Sequence, residues 1–311
     1  MVRKGIRKAG IGLLGAVMAV SLAACGSDDT TNGDDTTNGA DGGNGTEEKG
    51  TITLGFIPSW TDGRSVGYLT KMALEEMGYT VEVETLSEAG PLYTALAQGD
   101  IDMYPSAWPE VTHATYMETY GDDIESIGAY YDNAILTWAV PDYSEIQSIA
   151  DLPDYADVLE NRIIGIEPGA GLTEASQESV IPTYGLDDWE LVTSSTSAML
   201  AELQSAVNAE EEIVVTLWRP FWANAEFDMR DLEDPENAFG EPEALHFLAT
   251  LGFAEQYPEV ADWIGQIQMN DEEYGSLEDT VVNEYEEGQE EEAIQAWIDA
   301  NPDVLPELPQ A

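Results

Sequence analysis

The sequence predicts two related α/β lobes, and three observations point to this fold class. Two apolar, strand-like runs end in Trp followed by Pro, and Trp108 and Trp218 are 110 residues apart. Pro58 and Pro168 each end another strand-like run, again 110 residues apart. Between these landmarks the order strand, helix, strand, helix, strand occurs twice, which is typical of a repeated unit with a parallel sheet.

The elements of each copy can be placed in order. The first copy reads as strand 52–57, helix 66–78, strand 81–86, helix 91–99 and strand 101–108. The second reads as strand 162–167, helix 172–185, strand 189–195, helix 196–209 and strand 212–218. In such units ligand-contacting residues gather at the carboxyl ends of parallel strands. Trp60, Trp108, Gly171 and Trp218 are expected there.

The amino terminus predicts export. Four basic residues precede an apolar run at 11–20, which is too short to span a membrane, and Leu-Ala-Ala then precedes Cys25. We interpret 1–24 as a lipoprotein signal and Cys25 as the lipid attachment site. The alternative is a plain secretory signal with an incidental cysteine. Residues 25–50 are rich in Asp, Thr, Asn and Gly with almost nothing apolar, which predicts a flexible linker.

The charge of the chain is extreme. The whole chain has 10 basic and 62 acidic residues. The signal segment contains four of the basic and none of the acidic residues, so its removal leaves 6 basic and 62 acidic residues and a net charge of −56. Such a surface repels itself in dilute buffer, whereas at molar salt the Debye length falls to about 3 Å. We interpret this as adaptation to a hypersaline exterior. Six basic residues provide no footprint for nucleic acid, and the acidic runs lack calcium-loop spacing, so no metal or cofactor is expected.

The tryptophans indicate the ligand. Five of the eight fit apolar faces of strands or helices and are expected in the core: Trp138, Trp189, Trp222, Trp263 and Trp297. Trp60, Trp108 and Trp218 instead stand where a strand gives way to a turn. Several aromatic faces around one cleft suit a quaternary ammonium, because the ring quadrupole attracts a cation that donates no hydrogen bonds.

An anchor for an anionic group is available too. Backbone N–H groups near Gly171 and Leu172, where a strand turns into a helix, and the side chain of His113 are candidates to bind a carboxylate. The alternatives are that the Pro-Gly-Ala-Gly segment is only a tight turn and that His113 is a surface helix residue.

Several long motifs in fixed order now identify a resemblance. They are SAWPEVTHATY, IGIEPGAGL, STSAMLAEL, IVVTLWRPFWANAEFDMRDLEDP and GEPEALHFLATLGF. Over about 51–300 the chain resembles the glycine betaine binding lipoproteins of ABC-type osmoprotectant importers. The resemblance implies a two-lobe periplasmic-binding-protein fold of type II. It also implies a trimethylammonium caged by Trp60, Trp108 and Trp218, with a carboxylate held by His113 and the N–H groups of Gly171 and Leu172.

The resemblance further implies an organisation and partners. Lobe one would comprise 51–137 and a return at 232–311, and lobe two would comprise 138–231. A monomer, held outside the cell membrane by a lipid on Cys25, would deliver a zwitterionic quaternary ammonium ligand to a permease and its ATPase. In another branch of the family the third tryptophan stands at the position that matches Ala170. The resemblance therefore implies that the third ring comes from either of two positions and that Trp60 supplies it in this chain.

Other functions stay open. Choline, carnitine and proline betaine compete with glycine betaine as the ligand. A lipoprotein hydrolase would have to use a carboxylate pair or His113, because the sequence has no G-x-S-x-G or H-E-x-x-H motif and no free nucleophilic Cys. A protein-binding adhesin would need a large exposed apolar patch, of which the acid-rich helices give little sign. We therefore expect a receptor and not an enzyme.

Overall fold

The computed structural model describes residues 49–309. The predicted signal segment 1–24, Cys25 and the linker up to residue 48 lie outside the described residues. None of the described helices is long and apolar enough to cross a membrane.

The strands confirm the predicted repeat. They are β1 (Thr51–Phe56), β2 (Thr80–Thr85), β3 (Met103–Ala107), β4 (Ile124–Pro141), β5 (Arg162–Ile164), β6 (Glu190–Val192), β7 (Val215–Arg219), β8 (Met229–Asp231) and β9 (Glu243–Thr250). Within the described residues they are hydrogen-bonded in the order β2-β1-β3-β9-β4-β7-β5-β6, and β8 also pairs with β4. The parallel triplet β2-β1-β3 and the parallel triplet β6-β5-β7 are the two copies predicted from the 110-residue offset.

One long strand, β4, joins two portions of this sheet. Its residues 124–134 pair with β9, and its residues 135–141 pair with β7 and β8. We call β2, β1, β3, β9 and 124–134, with their helices, the first portion. The second portion is 135–141, β7, β5, β6 and β8 with their helices. The partner of β4 changes between Ala134 and Ile135, and the lobe boundary expected from the sequence is at residue 137.

The helices cover these strands. They are α1 (Thr61–Glu76), α2 (Ala89–Gln98), α3 (Ala114–Tyr120), α4 (Ala156–Leu159), α5 (Gly171–Ala175), α6 (Ile181–Thr183), α7 (Thr196–Ala209), α8 (Ala223–Glu226), α9 (Phe253–Gln256), α10 (Pro258–Ile264), α11 (Asp271–Asp279) and α12 (Glu290–Ala300). A π-helical turn at 176–180 connects α5 to α6 within the predicted helix 172–185. Two helix ends follow their local sequence: the Ser195 side chain accepts from the N–H of Ala198 at the start of α7, and Gly99 ends α2 with φ of 72°.

The start of α1 differs from the prediction. The helix begins at Thr61, five residues before the predicted Val66, because the Ser-Trp-Thr-Asp-Gly segment continues into the helix and does not form a separate turn. Trp60 is the extended residue that precedes the first helical turn. This early start places Asp62 in that turn, close to the carboxyl end of β1.

The core confirms three of the five predicted core tryptophans. Trp138, Trp263 and Trp297 are buried, whereas Trp189 and Trp222 are partly buried and pack against the core from its edge. Trp189 precedes β6, the last strand of the sheet, where no further strand covers it. The chain after α12 packs on the body, since the Trp263 indole N–H donates to the carbonyl of Pro306 at 3.0 Å.

Candidate ligand-binding site

The six residues predicted to bind a ligand border one cavity. Trp60, Trp108 and His113 come from the first portion, and Gly171, Leu172 and Trp218 come from the second. The empty space measures about 340 Å³, counting the part open to solvent. The other bordering residues are Asp62, Thr112, Leu136, Ile166 and Ala170. Trp60 and Ala170 thus border the same space. These are the two positions that were expected, from the family resemblance, to supply the third ring in different branches.

Each of the three indole rings is held by a different neighbour. The N–H of Trp108 donates to the Asp62 carboxylate at 3.0 Å, within the first portion. The N–H of Trp60 donates to the Glu167 carboxylate at 3.2 Å, across to the second portion. Trp218 stacks on Phe221 with ring centroids 4.0 Å apart and planes inclined by 26°. The rings are at most 8% exposed, so their orientation is fixed by packing and not by solvent.

His113 is a buried, neutral donor and not the surface helix residue of the alternative reading. The side chain is 2% exposed, and burial lowers its pKa to about 3. The backbone N–H of Trp108 lies 3.4 Å from Nδ1, and the Tyr93 hydroxyl lies 3.1 Å from the same atom. Because a backbone N–H can only donate, Nδ1 is the acceptor and the proton sits on Nε2. The ring therefore keeps one N–H donor at neutral pH.

Gly171 and Leu172 begin a helix at the cavity. Because they are the first two residues of α5, their N–H groups have no acceptor within the helix. Ala170 before them is extended, so the Pro-Gly-Ala-Gly segment is a helix start and not merely a tight turn. A Cβ atom at Gly171 would lie 1.8 Å from the carbonyl oxygen of Thr112 in the first portion. Only glycine allows the two backbones to approach this closely.

The segment that carries Thr112 and His113 is fixed by a buried carboxylate. Glu243, at the start of β9, accepts hydrogen bonds from the N–H groups of Glu110, Val111 and Thr112 at 3.1, 3.0 and 2.9 Å, and also from the Thr112 hydroxyl. Glu243 is 3% exposed. Three successive N–H groups around one carboxylate hold this backbone in a single conformation.

Two further acids lie beneath the cavity. Asp62 also accepts from the Ser106 hydroxyl at 2.9 Å, and burial raises its pKa although these hydrogen bonds act in the opposite direction. Glu278 of α11 accepts from the Thr61 hydroxyl. Burial raises the pKa of Glu278 to about 8, and the nearby Asp62 carboxyl adds to the rise. Of these two acids, Asp62 borders the cavity and Glu278 does not.

Sequence reasoning missed Asp62, Glu167 and Glu243. The only local signal is at Asp62, which follows Trp60 by two residues in the first turn of a helix, where acids are favoured. Nothing local distinguishes Glu167 or Glu243 from the other acids of this chain. Within 49–309 no group of three or more His, Cys, Asp or Glu side chains is arranged to hold a metal ion.

The arrangement can bind a small ligand with two unlike ends. Three indole faces and Asp62 favour a cationic end, and the His113 N–H with the first N–H groups of α5 favours an anionic end. Comparison with known proteins identifies the family of the chain. Residues 50–300 match the family described as the substrate binding domain of ABC-type glycine betaine transport systems. The chain belongs to this family.

One relative has a similar sequence over about half of the chain. The chain is 38% identical over 155 residues to the glycine betaine/carnitine transport binding protein GbuC of Listeria monocytogenes, a match that covers 48% of this chain and 49% of that protein. The chain thus spans about half the length of this relative.

Two solved structures resemble the whole body. The lactococcal OpuAC in its closed, liganded conformation with glycine betaine has a TM-score of 0.75 at 27% identity, over 82% of this chain and 97% of that one. The glycine betaine and L-proline binding protein ProX of Borrelia burgdorferi has a TM-score of 0.75 at 30% identity, over 83% and 97%. The fold is therefore that of a type II periplasmic binding protein, as predicted. The family consists of solute-binding receptors and not of enzymes.

Proposed function

We propose that this protein is the extracytoplasmic receptor of an ABC importer and that it captures glycine betaine or a related betaine. The single observation that carries the proposal is that six residues chosen from the sequence, three from each portion, border one cavity. The ligand's trimethylammonium would lie among Trp60, Trp108 and Trp218. Each cation–aromatic contact contributes about 0.5 to 1 kcal/mol at an exposed site and about 2 kcal/mol or more when water is excluded.

The carboxylate of the ligand would be bound by neutral donors. The His113 ring offers its Nε2–H because Nδ1 is occupied by the Trp108 N–H and the Tyr93 hydroxyl. Gly171 and Leu172 offer N–H groups at the positive end of a helix. Neutral donors suit a zwitterion, since the net charge in the site does not change when it binds.

Closure of two lobes would complete this site. The proposed lobes are the first and second portions, with the boundaries near residues 137 and 231 expected from the sequence and with β4 as one of the crossing segments. Because donors and rings come from both lobes, a bound ligand stabilises the closed form, and a permease can distinguish that form from the open one. Cys25 would anchor the receptor to the membrane by a lipid, with 26–50 as the tether.

The charge of the chain would suit this task in a hypersaline exterior. At molar salt, where the Debye length is about 3 Å, the repulsion within a chain of net charge −56 is largely screened. Dry aromatic contacts around a zwitterion are less sensitive to that salt than an exposed ion pair would be. Osmoprotectant capture is therefore compatible with the extreme surface.

Choline is a second candidate, which the position of Asp62 favours. This buried acid borders the cavity and would balance the net positive charge of choline. Choline, however, has no carboxylate for His113 and for the N–H groups of α5. Each buried donor left without an acceptor costs about 1 to 3 kcal/mol, which favours a betaine.

The test is calorimetric titration in molar salt with glycine betaine, proline betaine, carnitine and choline. We expect at least one betaine to bind with micromolar affinity, which corresponds to about 8 kcal/mol, and choline to bind at least about tenfold more weakly. Trp218→Ala is expected to abolish measurable binding, whereas Trp189→Ala, a partly buried tryptophan that does not border the cavity, serves as the control. Absence of binding by every quaternary ammonium would contradict the proposal.

A further inference from the structure

Glu167 connects the two portions next to the cavity. It follows β5 by three residues and is 5% exposed. Its carboxylate accepts from the Thr196 N–H at 2.9 Å and from the Thr196 hydroxyl at 2.8 Å, both in the second portion. From the first portion it accepts from the Trp60 indole N–H at 3.2 Å, and the Ser59 hydroxyl lies at 3.5 Å. One buried carboxylate therefore has donors on both sides of the gap.

The donors on the two sides have different consequences. Thr196 is the first residue of α7, a helix of 14 residues, so the carboxylate is fixed at the positive end of a helix within its own portion. This arrangement does not depend on the first portion. The Trp60 indole N–H, in contrast, reaches Glu167 only when the two portions are in contact.

Trp60 differs in this respect from Trp108. The indole N–H of Trp108 is bound by Asp62, which belongs to the same portion, so its ring is oriented before any closure. The indole N–H of Trp60 is bound only by the opposite portion among the recorded hydrogen bonds of residues 49–309. The Trp60 ring also stacks on His113 of its own portion, with centroids 6.0 Å apart, so what depends on the approach of Glu167 is the partner of its N–H.

We propose that Glu167 is a positioning residue that couples the Trp60 ring to closure of the lobes through the indole N–H. The inference rests on the proposed function. Glu167 acts through Trp60 and does not border the cavity itself. Because Thr196 at the start of α7 holds its carboxylate in place, Glu167 accepts from the Trp60 N–H in the closed form only. This hydrogen bond, which we call the latch, stabilises the closed form and thereby slows ligand release.

The test is the kinetics of glycine betaine binding, followed by tryptophan fluorescence in a stopped-flow instrument. Glu167→Gln is expected to raise the dissociation rate about 10- to 100-fold, the range for losing hydrogen bonds to a charged group. The association rate is expected to change little, since affinity changes within one interface lie mostly in dissociation. Glu174→Gln is the matched control. Glu174 also accepts across the gap, from the Thr115 hydroxyl at 3.1 Å, but at the exposed rim, so a change below about twofold is expected.

A second variant removes the same hydrogen bond from the other side. Trp60→Phe keeps an aromatic ring, lacks the N–H and leaves the Glu167 carboxylate bound to Thr196 at the start of α7. In a double-mutant cycle, the factor by which Glu167→Gln raises the dissociation rate is expected to be at least about fivefold smaller in the Trp60→Phe background than in the parent. Additive effects, or an unchanged dissociation rate in Glu167→Gln, would overturn the latch while leaving the receptor function intact. A parent protein that binds no quaternary ammonium would instead overturn both.

Discussion

A single methyl group at Gly171 is expected to keep the two portions of the sheet apart. Its Cβ would lie 1.8 Å from the Thr112 carbonyl oxygen and 2.7 Å from the carbonyl carbon. Both are backbone atoms, which cannot turn aside as a flexible side chain does. Ordinary contact begins at 3.4 Å, so the two backbones must separate by about 1.6 Å.

A separation of this size removes hydrogen bonds from the site. A bond of about 2.9 Å stretched by that amount is no longer a hydrogen bond. Losing one such bond to a carboxylate costs about 1.5 to 3 kcal/mol, or roughly 10- to 150-fold in affinity. The ligand-free protein should not be destabilised, because Gly171 is helical without a positive φ, a conformation that alanine adopts without strain.

The assay is titration of Gly171→Ala with glycine betaine, together with thermal unfolding without ligand. We expect affinity at least about 10-fold weaker and an unchanged or slightly higher melting temperature. Gly169→Ala is the matched control, because a Cβ there would meet the end of the Glu88 side chain at 2.9 Å, which can move away. Affinity in Gly171→Ala within about threefold of the parent would refute the argument from close approach.

Two other carboxylates lead to predictions. Glu243→Gln should weaken glycine betaine binding about tenfold, because it loosens the segment that carries His113, and it should weaken choline binding less. Titration of both ligands tests this, with Glu110→Gln at an exposed acid as the control. Equal losses of affinity for the two ligands would contradict the prediction. Glu278 holds a proton in the folded state up to a pKa of about 8 instead of its ordinary value of 4.5. Its contribution to stability is therefore complete below pH 4.5 and is lost as the pH rises towards 8. The melting temperature of the parent should fall between about pH 5 and 8, and that of Glu278→Gln should fall less over this range. If the melting temperatures of the two proteins depend on pH in the same way, the raised pKa of Glu278 is contradicted.

The part of the fold that the sequence predicts is the part encoded locally. Strand and helix patterns repeat with Pro58 and Pro168, and with Trp108 and Trp218, at the same offset, which was sufficient to predict both parallel triplets. Strand ends carry these landmarks because a strand in a parallel sheet must be followed by a turn and a helix. The same logic led to Trp60, Gly171 and the cavity they border.

The acids that organise the site could not be predicted in this way. Trp108 donates to Asp62 over 46 residues, Trp60 donates to Glu167 over 107, and Thr112 donates to Glu243 over 131. Their burial arises from tertiary packing, and in a chain with 62 acidic residues nothing in the local sequence marks three of them as buried. The early start of α1 was missed for a related reason, because no side chain caps this helix at Trp60.

The most direct test of the account is a comparison of glycine betaine with 3,3-dimethylbutanoate in molar salt. The second compound keeps the carboxylate and the shape but replaces the trimethylammonium with an uncharged tert-butyl group. Three rings contributing at least about 0.5 kcal/mol each amount to roughly tenfold in affinity. If Trp60, Trp108 and Trp218 cage a cation, 3,3-dimethylbutanoate must bind at least about tenfold more weakly. Equal affinity for the two compounds would contradict the cage.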